Sequence, residues 1–230
     1  MKCEEIIERL KSLSDPRAVE GMARYGINPE NTYGVSIPIL RKTAKEAGKD
    51  HVLAQELWES EVHEARILAS MIDDPVMVTE EQMESWVGGF DSWDVCDQCC
   101  KNLFRRTTFA YRKAEEWSSR EEEFIKRAGF VLMACLVVGD KKAPDEAFDV
   151  FLPLIITGAT DGRNFVKKAV NWALRQIGKR NLILNRKAIE TAHEIQGTGS
   201  SSARWIVADA LRELTSESVQ RRFGKELKDN

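Results

Sequence analysis

Apolar positions recur at helical spacing along almost the whole chain, and no run alternates as a strand would. Ile6, Ile7 and Leu10 open a helix over 3–13. Ser14, Asp15 and Pro16 form a start signal, because proline suits a first helical turn whose N–H groups have no intrahelical acceptor. Residues 28–34 read as a loop, and Ser36 and Pro38 begin a helix that Gly48 closes after residue 47. The same spacing predicts helices over 51–59, 62–72, 80–90, 93–104, 109–117, 122–138, 145–156, 163–178, 186–196, 202–214 and 217–227. The connections are short, as antiparallel helix pairs require.

Four of these segments resemble one another: 63–72, 125–134, 166–175 and 202–211. Each carries a basic residue near its start, followed by small and branched apolar residues. Arg127 to Lys168 is 41 positions and Lys168 to Arg204 is 36. A helix-pair repeat of about 40 residues is the HEAT or armadillo period. One pair cannot bury its apolar side alone, so pairs stack into a solenoid whose inner helices line a concave surface. The expected fold is all-α: a right-handed, C-shaped superhelix of HEAT-like pairs, forming a single domain over residues 1–230.

Composition narrows the class. With 43% hydrophobic and 31% charged residues in 230, the chain is long and apolar enough for a core without metals or disulfides. The N-terminal segment is charged and amphipathic, unlike a signal peptide, and no stretch approaches the ~18 apolar residues of a membrane span, so a cytoplasmic protein is expected. Cys96, Cys99 and Cys100 crowd together without the paired spacing of a zinc site, and read as small buried hydrophobes in a reducing compartment. Trp58, Trp86 and Trp117 are expected in the packing. The segment from Gly197 to Ser202 lacks a phosphate-loop lysine and is expected to cap the following helix.

The net charge is −3, which by itself argues against nucleic acid, but the charges are segregated. Twelve acids and one base lie between Glu56 and Asp97; five bases and no acid lie between Lys101 and Lys113, and eight bases and no acid between Arg163 and Lys187. Such runs read either as solvated helix faces or as a positive stripe that a phosphate backbone would sense.

Trp93 and Asp97 are four apart, hence neighbours on one face of a first helical turn that Ser92 is placed to cap. An aromatic plate beside a carboxylate suits a cationic partner; the plain alternative is a core tryptophan and a surface acid. Asp94 sits off that face, where it favours the helix dipole. Lys168, Trp172 and Arg175 share a second face, a natural surface for stacking and phosphate contact, with Lys167 beside it. Arg127 and Arg204 occupy matching places in their own repeats, as phosphate contacts or, for Arg127, a structural ion pair.

Trp93 to Asp97, Lys126-Arg127-Ala128, the run from Phe165 to Arg175 and the stretch from Tyr33 to Arg41 together resemble, in order and spacing, the HEAT-like repeat alkylpurine DNA glycosylases of the AlkD type. The resemblance implies hydrolysis of the N-glycosidic bond of cationic N3- or N7-alkylated purines in duplex DNA. It assigns Asp97 as the catalytic carboxylate, Trp93 and Trp172 as the aromatic pair beside the lesion, and Arg127 as a phosphate holder. Tyr25 or Tyr33 is a further candidate aromatic. No cofactor, metal, membrane or obligatory protein partner is implied, and a monomer is expected. A non-catalytic HEAT-repeat module that binds DNA or a protein is the alternative, since one fold serves many functions.

Overall fold

Helix boundaries are set by side chains that answer the free N–H groups of each first turn. Asp15 accepts from Arg17 and Ala18, Asp50 from Leu53, Thr79 from Gln82, Asn181 from Leu184 and Ser200 from Ala203. The computed structural model describes residues 1–226. All regular structure among them is helical, and none of their helices is long and apolar enough to cross a membrane. Leu227, the expected end of the last helix, lies outside the described residues. The chain divides into two compact units, Met1–Phe109 and a second from Ala110 onward.

The first unit holds α1 (Cys3–Ser12), α2 (Pro16–Arg24), α3 (Ile37–Ala47), α4 (His51–Glu59), α5 (His63–Ile72), α6 (Glu80–Gly88) and α7 (Trp93–Asn102), followed by a 3₁₀ turn, Phe104–Arg106. Helix α5 is its axis, packing against α3, α4 and α7. Beside it Trp58 and Trp86 stack with ring centroids 4.2 Å apart, Phe90 and Phe104 close the cluster, and the Arg66 guanidinium lies over Trp58. The helix expected over 93–104 stops at Asn102. The tighter turn that follows buries Leu103 and Phe104 completely, and Phe104 joins the aromatic cluster.

The second unit holds α8 (Ala110–Ser118), α9 (Glu123–Gly139), α10 (Glu146–Asp149), α11 (Phe151–Gly158), α12 (Asn164–Gly178), α13 (Leu182–Gln196), α14 (Ser201–Leu214) and α15 (Glu217–Glu226). Helix α9 packs between α8 and α12, and α12 packs on α13 and α14. Two expectations are corrected here. The helix expected over 145–156 breaks at Val150, because a proline ring clashes with the carbonyl four residues back, and Pro153 is compatible only with the first turn of a new helix. Helix α13 starts at Leu182, ahead of the expected residue 186, because the Asn181 side chain caps it. Of the five cysteines, Cys96, Cys99, Cys100 and Cys135 are buried, and none of these four forms a disulfide. Among the described residues no group of three or more metal-ligating side chains assembles.

Gly129 marks a close approach of backbone to backbone in the second unit. Every residue of α9 from Arg127 to Val137 is buried, and a Cβ at Gly129 would overlap the backbone of Trp117 and Ser118, with the Ser118 Cα only 2.8 Å away. Backbone cannot swing aside as a side chain does, so overpacking is felt in full. Gly129→Ala is expected to destabilise the protein by about 2–3 kcal/mol despite alanine's better helix propensity, measured as a lower urea midpoint; an unchanged midpoint would refute the close packing.

Candidate functional site

In the first unit the candidate site is built on the N-terminus of α7. Val95, Cys96, Cys99 and Cys100 are its buried face, which turns Trp93 and Asp97 outward together, both half-buried. The Trp93 indole N–H donates to the Tyr25 carbonyl at 3.1 Å, which fixes the ring, while Tyr25 as a residue is 76% exposed. Trp93 and Asp97 thus share one partly open face of α7, to which the Tyr25 backbone is tied.

The expected cap is corrected. The Ser92 hydroxyl does not cap α7; it accepts from the Asn28 N–H at 2.9 Å, and Asp91 binds the Asn28 side chain. Asp94 takes part of the capping role by accepting from the Val95 N–H, and its other oxygen pairs with His63 Nε2 at 2.9 Å.

The loop between α2 and α3 is fixed from beneath by Glu64. This carboxylate is 1% exposed and accepts from the N–H groups of Tyr33, Gly34 and Val35. Gly34 has φ +80°, and a Cβ there would lie 2.5 Å from the Asp15 carbonyl, so only glycine fits the turn. The His63 backbone N–H reaches the Asn31 carbonyl of the same loop. His63, Glu64 and the Tyr25 carbonyl escape a reading of the sequence, because their partners lie about thirty or more positions away.

In the second unit α12 presents Trp172, half-buried, and Lys168, exposed, on one face. Lys167 is turned toward α14, with its ammonium 5.0 Å from the centre of the Trp205 ring. Arg175 also reaches α14, where it pairs with Asp209 at 3.0 Å and with Glu213. Arg127 is 5% exposed, and its guanidinium donates to the Phe165 carbonyl at 2.6 Å, which ties α9 to the start of α12. That is the structural role the sequence left open, with a backbone carbonyl as this partner. Arg204 is exposed and donates to the Gly199 carbonyl, next to the Ser200 cap.

A model of the family described as DNA alkylation repair enzyme matches residues 6–214. Among solved structures the chain is similar to one described as a new family of proteins related to the HEAT-like repeat DNA glycosylases with affinity for branched DNA structures. The TM-score is 0.75 and the identity 22%, covering 84% of this chain and 83% of that one. At that identity the likeness concerns the fold, a solenoid of HEAT-like helix pairs. No curated protein matches the chain significantly in sequence.

The His63–Asp94 pair has a measurable signature. Burial pushes the imidazole toward its neutral form, but the Asp94 hydrogen bond and charge, with Glu64 and Asp91 nearby, outweigh it and raise its pKa above 6.5. A group raised in the folded state stabilises fully below its unfolded pKa and loses that contribution as pH rises through the folded value. The wild-type urea midpoint is therefore expected to fall, relative to His63→Gln, as pH is raised above about 6.5. Parallel pH courses for the two proteins would sink the assignment.

Proposed function

Because the chain belongs to the DNA alkylation repair enzyme family, we propose that it is a monofunctional DNA glycosylase acting on purines alkylated at N3 or N7 in duplex DNA. The observation that carries this reading is the pairing of Trp93 and Asp97 on one outward face of α7, with the exposed Tyr25 bound to Trp93 through its carbonyl. A cationic purine takes the electrons of the breaking C1′–N9 bond and leaves as a neutral base, so little acid catalysis on the base is needed. The task left to the protein is to stabilise positive charge on the sugar. The Asp97 carboxylate does this electrostatically and orients the water whose oxygen bonds to C1′ and whose proton passes to solvent. No cofactor enters this chemistry. In this reading Trp93 is the aromatic contact of the first unit, with Tyr25 as a further candidate, and Trp172 is the aromatic contact of the second unit.

Lys168 and Arg204, both exposed, are the phosphate contacts best supported in the second unit. Lys167 and Arg175 contribute from positions already shared with Trp205 and with Asp209 and Glu213. Arg127 acts mainly by holding α12 in place through the Phe165 carbonyl. The partner is duplex DNA carrying alkylated purines, bound by a monomer.

A second reading has its own support: a protein that binds DNA, branched DNA included, without cleaving the glycosidic bond. The similar solved structure is described by affinity for branched DNA, and the burial of Arg127 and the ion pairs of Arg175 leave fewer cations for a lesion site.

The two readings part in one assay, release of 3-methyladenine and 7-methylguanine from methylated duplex DNA. Wild type is expected to release base and Asp97→Asn to do so about 100- to 1000-fold more slowly, as when one preorganised electrostatic group is lost from a transition state, with its urea midpoint retained. Equal release by both proteins would move the catalytic carboxylate elsewhere. No release by folded wild type would favour the binding protein.

A further inference from the structure

The basic run that begins at Lys101 is not used by the chemistry above, and the structure divides it. Arg112 and Lys113 pair with Glu116. Lys101, Arg105 and Arg106 instead converge with Arg41 of α3 around an open cavity of about 260 Å³, to which Asn102 adds an amide and no carboxylate contributes. Arg41, Lys101 and Arg106 are exposed. Among the described residues, none of the four cations has a carboxylate within ion-pair distance.

Structure explains part of the cluster. Lys101 lies in the last turn of α7, where a cation favours the helix dipole, and the Arg105 Nε–H donates to the Lys101 carbonyl. Neither explanation reaches Arg41 or Arg106. The nearby acids are already engaged. Asp73 is held by His51 and Gln82, and Asp74 accepts from the Val76 N–H. The neighbouring Lys49 also registers the positive field: burial first, then the charge of Arg106, depresses its pKa, although Asp73 and Asp74 act the other way. Like charges held together without a counter-charge repel, and an anion seated among them reverses the sign of the interaction.

Helix geometry sets the scale. Trp93, Asp97 and Lys101 stand at i, i+4 and i+8, on one face of α7. Lys101 is therefore one turn, about 6 Å, beyond the candidate carboxylate. A concave site with several cations suits a phosphate, whose oxygens accept from guanidinium forks and an ammonium at once.

We propose that Arg41, Lys101, Arg105 and Arg106 form a phosphate site that grips the DNA backbone one turn from Asp97 and so sets which nucleotide faces that carboxylate. The site rests on DNA being the partner, but not on glycosidic cleavage. The phosphate comes either from an internal diester or from a terminal monoester.

The test is the salt dependence of binding to unmodified duplex DNA, wild type beside the double variant Arg41→Gln/Arg106→Gln. Each lost phosphate contact lowers the slope of log K against log salt by about 1, so a decrease of about 2 is expected. The control is Arg9→Gln/Arg221→Gln, which removes two cations already paired with Glu46 and Glu217; its slope is expected to match wild type. Duplexes with 5′-hydroxyl and 5′-phosphate ends separate the sources. Equal wild-type affinity assigns the internal diester, and tighter binding of the phosphorylated end that vanishes in the double variant assigns the monoester. An unchanged slope in the double variant, or an equal change in the control, overturns the proposal. An unchanged slope with base release retained removes the phosphate site alone, whereas a lowered slope without base release removes the glycosylase reading alone.

Discussion

A buried carboxylate, Glu64, holds the loop on which the candidate site depends. An ionised carboxylate out of water is costly unless its oxygens are bonded, and Glu64 is bonded by three consecutive backbone N–H groups rather than by a cation. Hydrogen bonds to a charged acceptor contribute about 1.5–3 kcal/mol each, so residues 33–35 are pinned to α5. The other end of the same loop binds the start of α7 through Asn28 and the Tyr25 carbonyl. The Trp93 ring and the start of the helix that bears Asp97 are thus anchored by a chain of contacts that begins inside the first unit and ends at its surface.

Charge behaves similarly. A net charge of −3 hides two kinds of basic segment. In the second unit many cations are internal ties: Arg175 and Lys179 join Glu213, Arg163 joins Asp161, and Lys187 joins Asp149. Such pairs keep helices in register and leave little field outside. In the first unit Arg41, Lys101 and Arg106 have no such partners among the described residues, so their field faces solvent. Whether a basic run acts as scaffold or as recognition surface is decided by which acids fold against it.

That distinction also marks how far the sequence can be read. Helix starts at Pro16, His51 and Glu80 follow from local capping chemistry, and Trp93 with Asp97 is legible because i,i+4 spacing is a property of one helix. Local rules also contained the break before Phe151, since Pro153 forbids a continuous helix. The burial of Arg127 was not legible, because the partner shown for it is a main-chain carbonyl 38 positions away that any residue type would supply. The His63–Asp94 pair and the Glu64 cradle depend likewise on contacts between helices and loops that no periodicity encodes.

The inner side of α7 carries a further implication. Val95, Cys96, Cys99 and Cys100 have no exposure at all, so the helix bearing Asp97 rests on a close-packed bed of small side chains. Interiors at crystal-like density transmit a change of one methyl group as displacement rather than absorbing it. Adding or removing volume beneath α7 therefore tilts the carboxylate on its outer face without touching a surface residue. The reach of that carboxylate is thus set from behind, by interior side chains that can change while the outward face stays the same.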